Sequence, residues 1–191
     1  GAVHCTAGTR DLCAILLPDS GHLQEEEAAY LNRHRLSRHD PALPLYTRLD
    51  AVHSLRLLQA HPLHQPFDPL PGWRARFFGA GHILGAASVL LEVGGQRILF
   101  SGDLGRPDDP LMPPPEAPPA ADVVLVESTY GDREHAPVMM EDELAPLLSR
   151  LAARGGVAVV PVFAVGRAQQ LMLAITRLKA QGRIPAGLPV Y

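Results

Sequence analysis

The sequence predicts an α/β protein whose functional end is set by a three-strand meander, and three observations carry that expectation. Trp73-Arg-Ala-Arg-Phe-Phe78 alternates apolar and polar side chains, the period of a half-buried strand. The stretches 86–93 and 96–100 are apolar and partly β-branched, and Gly94-Gly95 separates them, a two-residue hairpin signal. From Asp122 onward, apolar runs alternate with helical patterns in the order βαβαβ, which points to a layer with parallel pairing.

In chain order, residues 2–5 read as a short strand. Thr9 can cap a well-buried helix over 10–17 that carries Leu12, Ala14, Ile15 and Leu16, with Pro18-Asp-Ser-Gly21 as its breaker. Residues 24–33 form a second helix, acidic at its start and basic at its end, in keeping with the helix dipole. Thr47 or Asp50 opens a third helix running to about Ala60, with Leu49, Val52, Leu55 and Leu58 on one stripe. Residues 61–71 contain four prolines and read as an extended connector with at most a short edge strand. Seven prolines between Arg106 and Ala121 predict a stiff surface crossing. A buried strand over 122–127 follows, then a helix over about 138–154, a buried strand over 157–160, a helix over 166–181 and a final strand beginning near Pro189.

The chain has 191 residues, room for one large domain or parts of two. No apolar run approaches the ~18 residues that cross a bilayer, so no membrane association is expected. The net charge of −3 argues against broad electrostatic binding of nucleic acid, although a local basic groove is compatible with it. Cys5 and Cys13 make no disulfide framework and read as packed thiols of a reducing, cytoplasmic compartment. The chain opens without Met, on what looks like a strand under way, and closes on Leu188-Pro-Val-Tyr191. It reads as a piece of a longer protein.

The meander brings chemistry together. The first strand arrives at His82 in Gly79-Ala-Gly-His-Ile-Leu-Gly85, and the third returns to Asp103 in Phe100-Ser-Gly-Asp-Leu-Gly-Arg106. Both side chains should emerge at one end of the sheet, with Glu127 at the end of the next strand joining them. Histidine after a strand is most often structural, but Gly81 and Gly85 let the backbone turn closely around a bound group. Glu127 can cap the turn formed with Ser128 and Thr129, or support a neighbouring site.

AGHILGAAS, FSGDLGR and ESTYGDREH, in this order, resemble the metallo-β-lactamase fold and more narrowly its β-CASP branch of RNA-processing nucleases. Pro161-Val-Phe-Ala-Val-Gly-Arg-Ala-Gln-Gln170 is similar to the segment by which that branch enters its inserted domain. The resemblance implies that residues 1–129 are the C-terminal part of a metallo-β-lactamase αββα core and that residues 130–191 begin the inserted β-CASP α/β domain. It implies two zinc ions per intact site, with His82 completing one zinc shell and Asp103 bridging both ions. Imidazole nitrogen and a two-oxygen carboxylate suit these roles. Glu127 would be the first acid of the inserted domain's signature, supporting a metal-site histidine. Tyr130, Asp132, Arg133 and His135 would shape the loop near the substrate cleft. Arg167, in the Gly-Arg position, can reach a phosphate or pair with a local carboxylate. His4, His22, His34, His39, His53, His61 and His64 look dispersed and solvated, with no carboxylate partner for the last two.

The resemblance thus implies a zinc-dependent RNA phosphodiesterase, endo- or exonucleolytic, in which a hydroxide activated by two metals attacks phosphorus. A homodimer is compatible with this reading. No His-x-His-x-Asp-His string occurs in the chain, so the remaining ligands are expected outside 1–191 and the fragment alone should be inactive. Two other readings stand beside it. One is a non-catalytic scaffold subunit of an RNA-processing complex; the other is a hydrolase of a small ester or thioester on the same fold.

Overall fold

The computed structural model describes residues 1–134 and 139–191. These form two compact units, Gly1–Glu127 and Ser128–Tyr191. In the first unit, strand β1 (Val3–Cys5) leads into a long helix α1 (Ala7–His34), and α2 (Arg48–Ser54) and a 3-10 turn (Leu55–Leu57) lead to β2 (Leu58–Ala60). The meander follows as β3 (Trp73–Gly79), β4 (Ala87–Val93) and β5 (Gln96–Phe100), and β6 (Val123–Leu125) completes it. β3, β4 and β5 are antiparallel and β6 joins β5 in parallel, giving the order β3-β4-β5-β6. Gly94 and Gly95 both have positive φ, the conformation a two-residue hairpin with the right-handed strand twist demands.

Phe78, Leu90 and Leu99 fall on one face of the sheet by register and form its buried core, with Ala121 packed against them. On the opposite face Phe77 is buried beside Phe67. One row nearer the hairpin, charges alternate across β3, β4 and β5 and the acids that flank them. Asp68 pairs with Arg74, Arg74 stands opposite Glu92, Glu92 opposite Arg97, and Arg97 pairs with Asp122. Asp68, Arg74, Glu92 and Arg97, together with Trp73, line an open concavity of about 440 Å³ around the hairpin, at the end of the sheet away from His82.

Several sequence expectations are corrected. Residues 10–33 are not two helices broken at Pro18: α1 runs through it. The single bond that proline removes is outweighed by packing. Gly21 is buried against the N-terminus of α2, where a Cβ would lie 2.7 Å from the Arg48 backbone, and Ser20 bonds Tyr46 at 2.6 Å. Thr6, not Thr9, is the N-cap of α1, and it accepts from the Thr9 N–H. The helix ends at Arg35 in the left-handed region, where Leu36 N–H returns to Leu31 C=O. Ile15 is 68% exposed, so the first half of this helix is not well buried. The third helix stops at Ser54, because Leu58–Ala60 pairs in parallel with β1 instead.

The C-terminal corrections share one cause. β6 is exposed along its length rather than buried, being the sheet's edge with a partner on one side only. In the second unit, α3 (Met140–Ala153) and α4 (Arg167–Ala180) pack through Ala145, Leu178 and Ile184, and Arg177–Glu141 and Arg183–Asp142 pair at 3.3 and 2.8 Å. Between the helices, the expected strand 157–160 is irregular, with Val159 90% exposed, and no strand forms after Pro189. A strand requires a neighbour for its N–H and C=O groups, and these segments find none among the described residues. Val138, the expected start of α3, lies outside the described residues.

The connector histidines have partners, His61 half-buried and His64 exposed beside a carboxylate. His4 Nδ1 and His61 Nε2 lie 2.9 Å apart, and the His61 ring stacks on Phe67 with centroids 3.8 Å apart. His64 N–H donates to Phe77 C=O, and its ring meets Glu116 at 3.3 Å. Glu116 N–H in turn donates to Gly79 C=O, so the proline-rich crossing is tied down over the end of β3.

Burial, and secondarily His4, lowers the His61 pKa from its ordinary 6.5. A depressed folded-state value means that the unfolded chain takes the proton first. The His61 contribution to stability is therefore complete above about 6.5 and is lost as the pH falls through the folded pKa. Urea midpoints followed by fluorescence of Trp73, the sole tryptophan, should drop from pH 7.5 to 5.5, and His61→Gln should flatten that dependence. By the same assay Leu90→Ala and Leu99→Ala should each cost about 2–5 kcal/mol.

Candidate metal centre

All three predicted positions reach one end of the sheet. The pairings Gly79↔Ala87 and Val89↔Phe100 place the end of β3, the start of β4 and the end of β5 side by side. Phe100↔Leu125 then places the end of β6 next to them. The loop 80–86 carries His82, the loop 101–106 carries Asp103, and Glu127 lies two residues beyond β6.

The two loops pack backbone against backbone. Gly105 N–H donates to Ala80 C=O at 2.8 Å, and a Cβ on Gly105 would stand 1.9 Å from the Gly81 carbonyl oxygen. Glycine is required there by proximity. Ala80 N–H is held by Ala86 C=O and Ala86 N–H by Ile83 C=O, so the His82 loop is a closed turn.

A small polar network fixes the Asp103 loop from below. Buried Ser88 donates its hydroxyl to Ser101 C=O at 2.7 Å. Ser101, also buried, donates its own hydroxyl to Gly102 C=O and accepts from Glu127 N–H at 3.0 Å. The Glu127 carboxylate accepts from Leu104 N–H at 3.0 Å, so the residue after Asp103 is anchored to the end of β6. The capping reading of Glu127 thus has a contact, made with the Asp103 loop. Sequence reasoning missed Ser88 and Ser101. The available signal was a serine directly before Gly102, where a strand end needs a donor for its last carbonyls.

His82 and Asp103 themselves are exposed. No group of three or more His, Cys, Asp or Glu among the described residues is placed to hold a metal ion. The donors present are an imidazole and a carboxylate on two loops whose backbones satisfy one another. That chemistry fits part of a zinc shell, and a tetrahedral site needs further ligands. Arg167, exposed at the first position of α4 after Gly166, makes no ion pair with another described residue. Tyr130, Asp132 and Arg133 are exposed in a turn, with Gly131 N–H bonded to Ser128 C=O; His135 lies outside the described residues. Cys5 is buried and its thiol pKa is raised, chiefly by that burial, while Cys13 is half-buried.

The relatives of the chain show that it belongs to the β-CASP branch of the metallo-β-lactamase fold. It is 36% identical over 152 residues to the endoribonuclease YSH1 of Candida glabrata, covering 77% of this chain and 20% of the relative. The cleavage and polyadenylation specificity factor 73 of Drosophila melanogaster is 35% identical over 149 residues, 77% of this chain and 22% of the relative. An RNase J-like protein of Methanocaldococcus jannaschii matches at 30% over 193 residues, 99% of this chain and 41% of the relative. The chain therefore spans about a fifth to two fifths of the length of these relatives. No family model matches it.

The network has a consequence for the loops. Glu127→Ala should free the Leu104 amide, speeding its hydrogen exchange, whereas Glu127→Gln keeps an acceptor oxygen and should leave it protected. Ser101→Ala leaves the half-buried Glu127 N–H and the Gly102 carbonyl without this partner and should cost about 1 kcal/mol, read from urea unfolding.

Proposed function

We propose that the protein to which this chain belongs is a zinc-dependent RNA phosphodiesterase. The observation that carries the proposal is the meeting of the His82 and Asp103 loops, backbone to backbone, at one end of the sheet. The names of the relatives, two of them ribonucleases, support RNA as the substrate class. On this reading residues 1–129 are part of the hydrolase core and residues 130–191 open the inserted domain. RNA is the partner, and a cytoplasmic homodimer remains compatible.

His82 and Asp103 would hold zinc, with further ligands from outside these residues. Zinc bound there supplies a water of pKa near 7 and a positive charge against the phosphoryl oxygens. The chain's own residues do the positioning. Asp103 presents two oxygens from a loop held on both flanks, through Ser101 on one side and Leu104 on the other. Glu127 keeps that loop in place, and its carboxylate adds negative potential near the donors. The turn at 80–86 offers the His82 nitrogen from a backbone with little freedom, so less entropy is lost when a cation binds. Arg167 would contact an RNA phosphate as a planar fork of donors.

The test is metal content and cleavage of labelled RNA by the full-length protein. Asp103→Ala should lower zinc content and reduce cleavage by at least about 10²-fold, the order seen when metal support is lost. Arg167→Ala should weaken RNA binding and lower the salt slope by about one. A full-length protein that binds no metal and cleaves no RNA would leave the scaffold reading in its place.

A further inference from the structure

We propose that Thr9, with Thr6 beside it, is a positioning residue for His82, and this rests on the metal-centre reading above. The hydroxyls of both threonines converge on one acceptor, the carbonyl oxygen of Gly85, at 2.7 Å from Thr6 and 3.1 Å from Thr9. Gly85 closes the loop that carries His82. A carbonyl oxygen has two lone pairs and each hydroxyl one proton, so both threonines can donate to Gly85 at once.

The contact is also steric. Gly8, between the two threonines, lies so close that a Cβ on it would stand 2.9 Å from Gly85 N and Cα, and 3.1 Å from Leu84 Cγ. Gly85 has φ +84°, and a Cβ there would stand 2.2 Å from Thr9 N. Helix α1 thus presses its first turn onto the Gly85 end of the His82 loop, whereas Gly105 holds the Ala80–Gly81 end. The loop is held at both ends, and His82 is an exposed side chain between them.

Capping alone does not account for the pair. Thr6 caps α1 through the backbone N–H of Thr9, a bond that does not require the Thr9 side chain. Among the described residues, the Thr9 hydroxyl is hydrogen-bonded to Gly85 C=O and the Thr6 hydroxyl. Its position 76 residues from Gly85 in sequence makes it a tertiary device rather than a local turn bond.

The near-isosteric Thr9→Val removes this donor and leaves the cap, and Thr9→Ser restores it. In the full-length protein, Thr9→Val should speed amide exchange at Ala80 and Ala86 several-fold while amides of the paired strands β3 to β5 stay protected. Zinc should be lost to a chelator about 10-fold faster, and kcat on RNA should fall with KM unchanged. Thr9→Ser should return all three toward wild type, and Gly8→Ala, which pushes on the loop from the helix side, should reproduce the valine phenotype. Wild-type exchange and zinc retention in Thr9→Val, or failure of serine to rescue, would overturn the inference. His82→Ala separates the two levels. If it loosens zinc while Thr9→Val does not, the clamp alone fails; if it changes neither zinc retention nor cleavage, the metal-centre reading fails and the inference with it.

Discussion

The functional end of this chain depends on one close approach, that of Gly105 to the turn at Ala80 and Gly81. A side chain at 105 would occupy the space of a carbonyl oxygen, so the two loops meet only because that position carries none. Through this contact the Gly105 N–H of one loop is satisfied by the Ala80 carbonyl of the other. That leaves the exposed imidazole and carboxylate on a rigid platform, where rigid presentation reduces the entropy lost on binding a cation. The serine pair at 88 and 101 and the carboxylate of Glu127 extend the same principle downward. They fix the Asp103 loop by bonds to its backbone and leave the Asp103 side chain exposed.

The two ends of the sheet have different chemistry for a sequence reason. Along β3, β4 and β5 the polar residues cluster toward the hairpin, where Arg74, Glu92 and Arg97 alternate in sign across the register. Cross-strand pairs of this kind help select the register. A slip of one residue would set the row on the opposite face, among Val89, Leu91 and Ile98. The hairpin end thus supports register, and the loop end is left to carry the donors.

The meander, its hairpin and the convergence of His82, Asp103 and Glu127 were legible because they rest on short-range rules: alternation, a Gly-Gly turn and strand direction. What was not legible rests on tertiary contact. Proline at 18 reads locally as a breaker, and only the seat of Gly21 against Arg48 shows why α1 continues. Leu58 to Ala60 fits a helical stripe and becomes a strand because β1 lies beside it. The segment 157–160 has strong strand propensity and lacks a neighbour among the described residues to bond with. His61 and His64 looked solvated since nothing in the sequence announces Phe67 stacking or a carboxylate 52 positions away, at Glu116.

The separation of contacts along the chain sets an order of assembly. β3, β4 and β5 are joined by short connections, so their closure costs little chain entropy. β6 reaches β5 only after the proline-rich crossing, and the first turn of α1 meets Gly85 across more than seventy residues. Long-range closures of this kind form late and are rewarded only once the rest is in place. The sheet can therefore be built while its loop end is still open. Local unfolding should begin there too, so that damage to the long-range contacts disables the site well before it dissolves the fold.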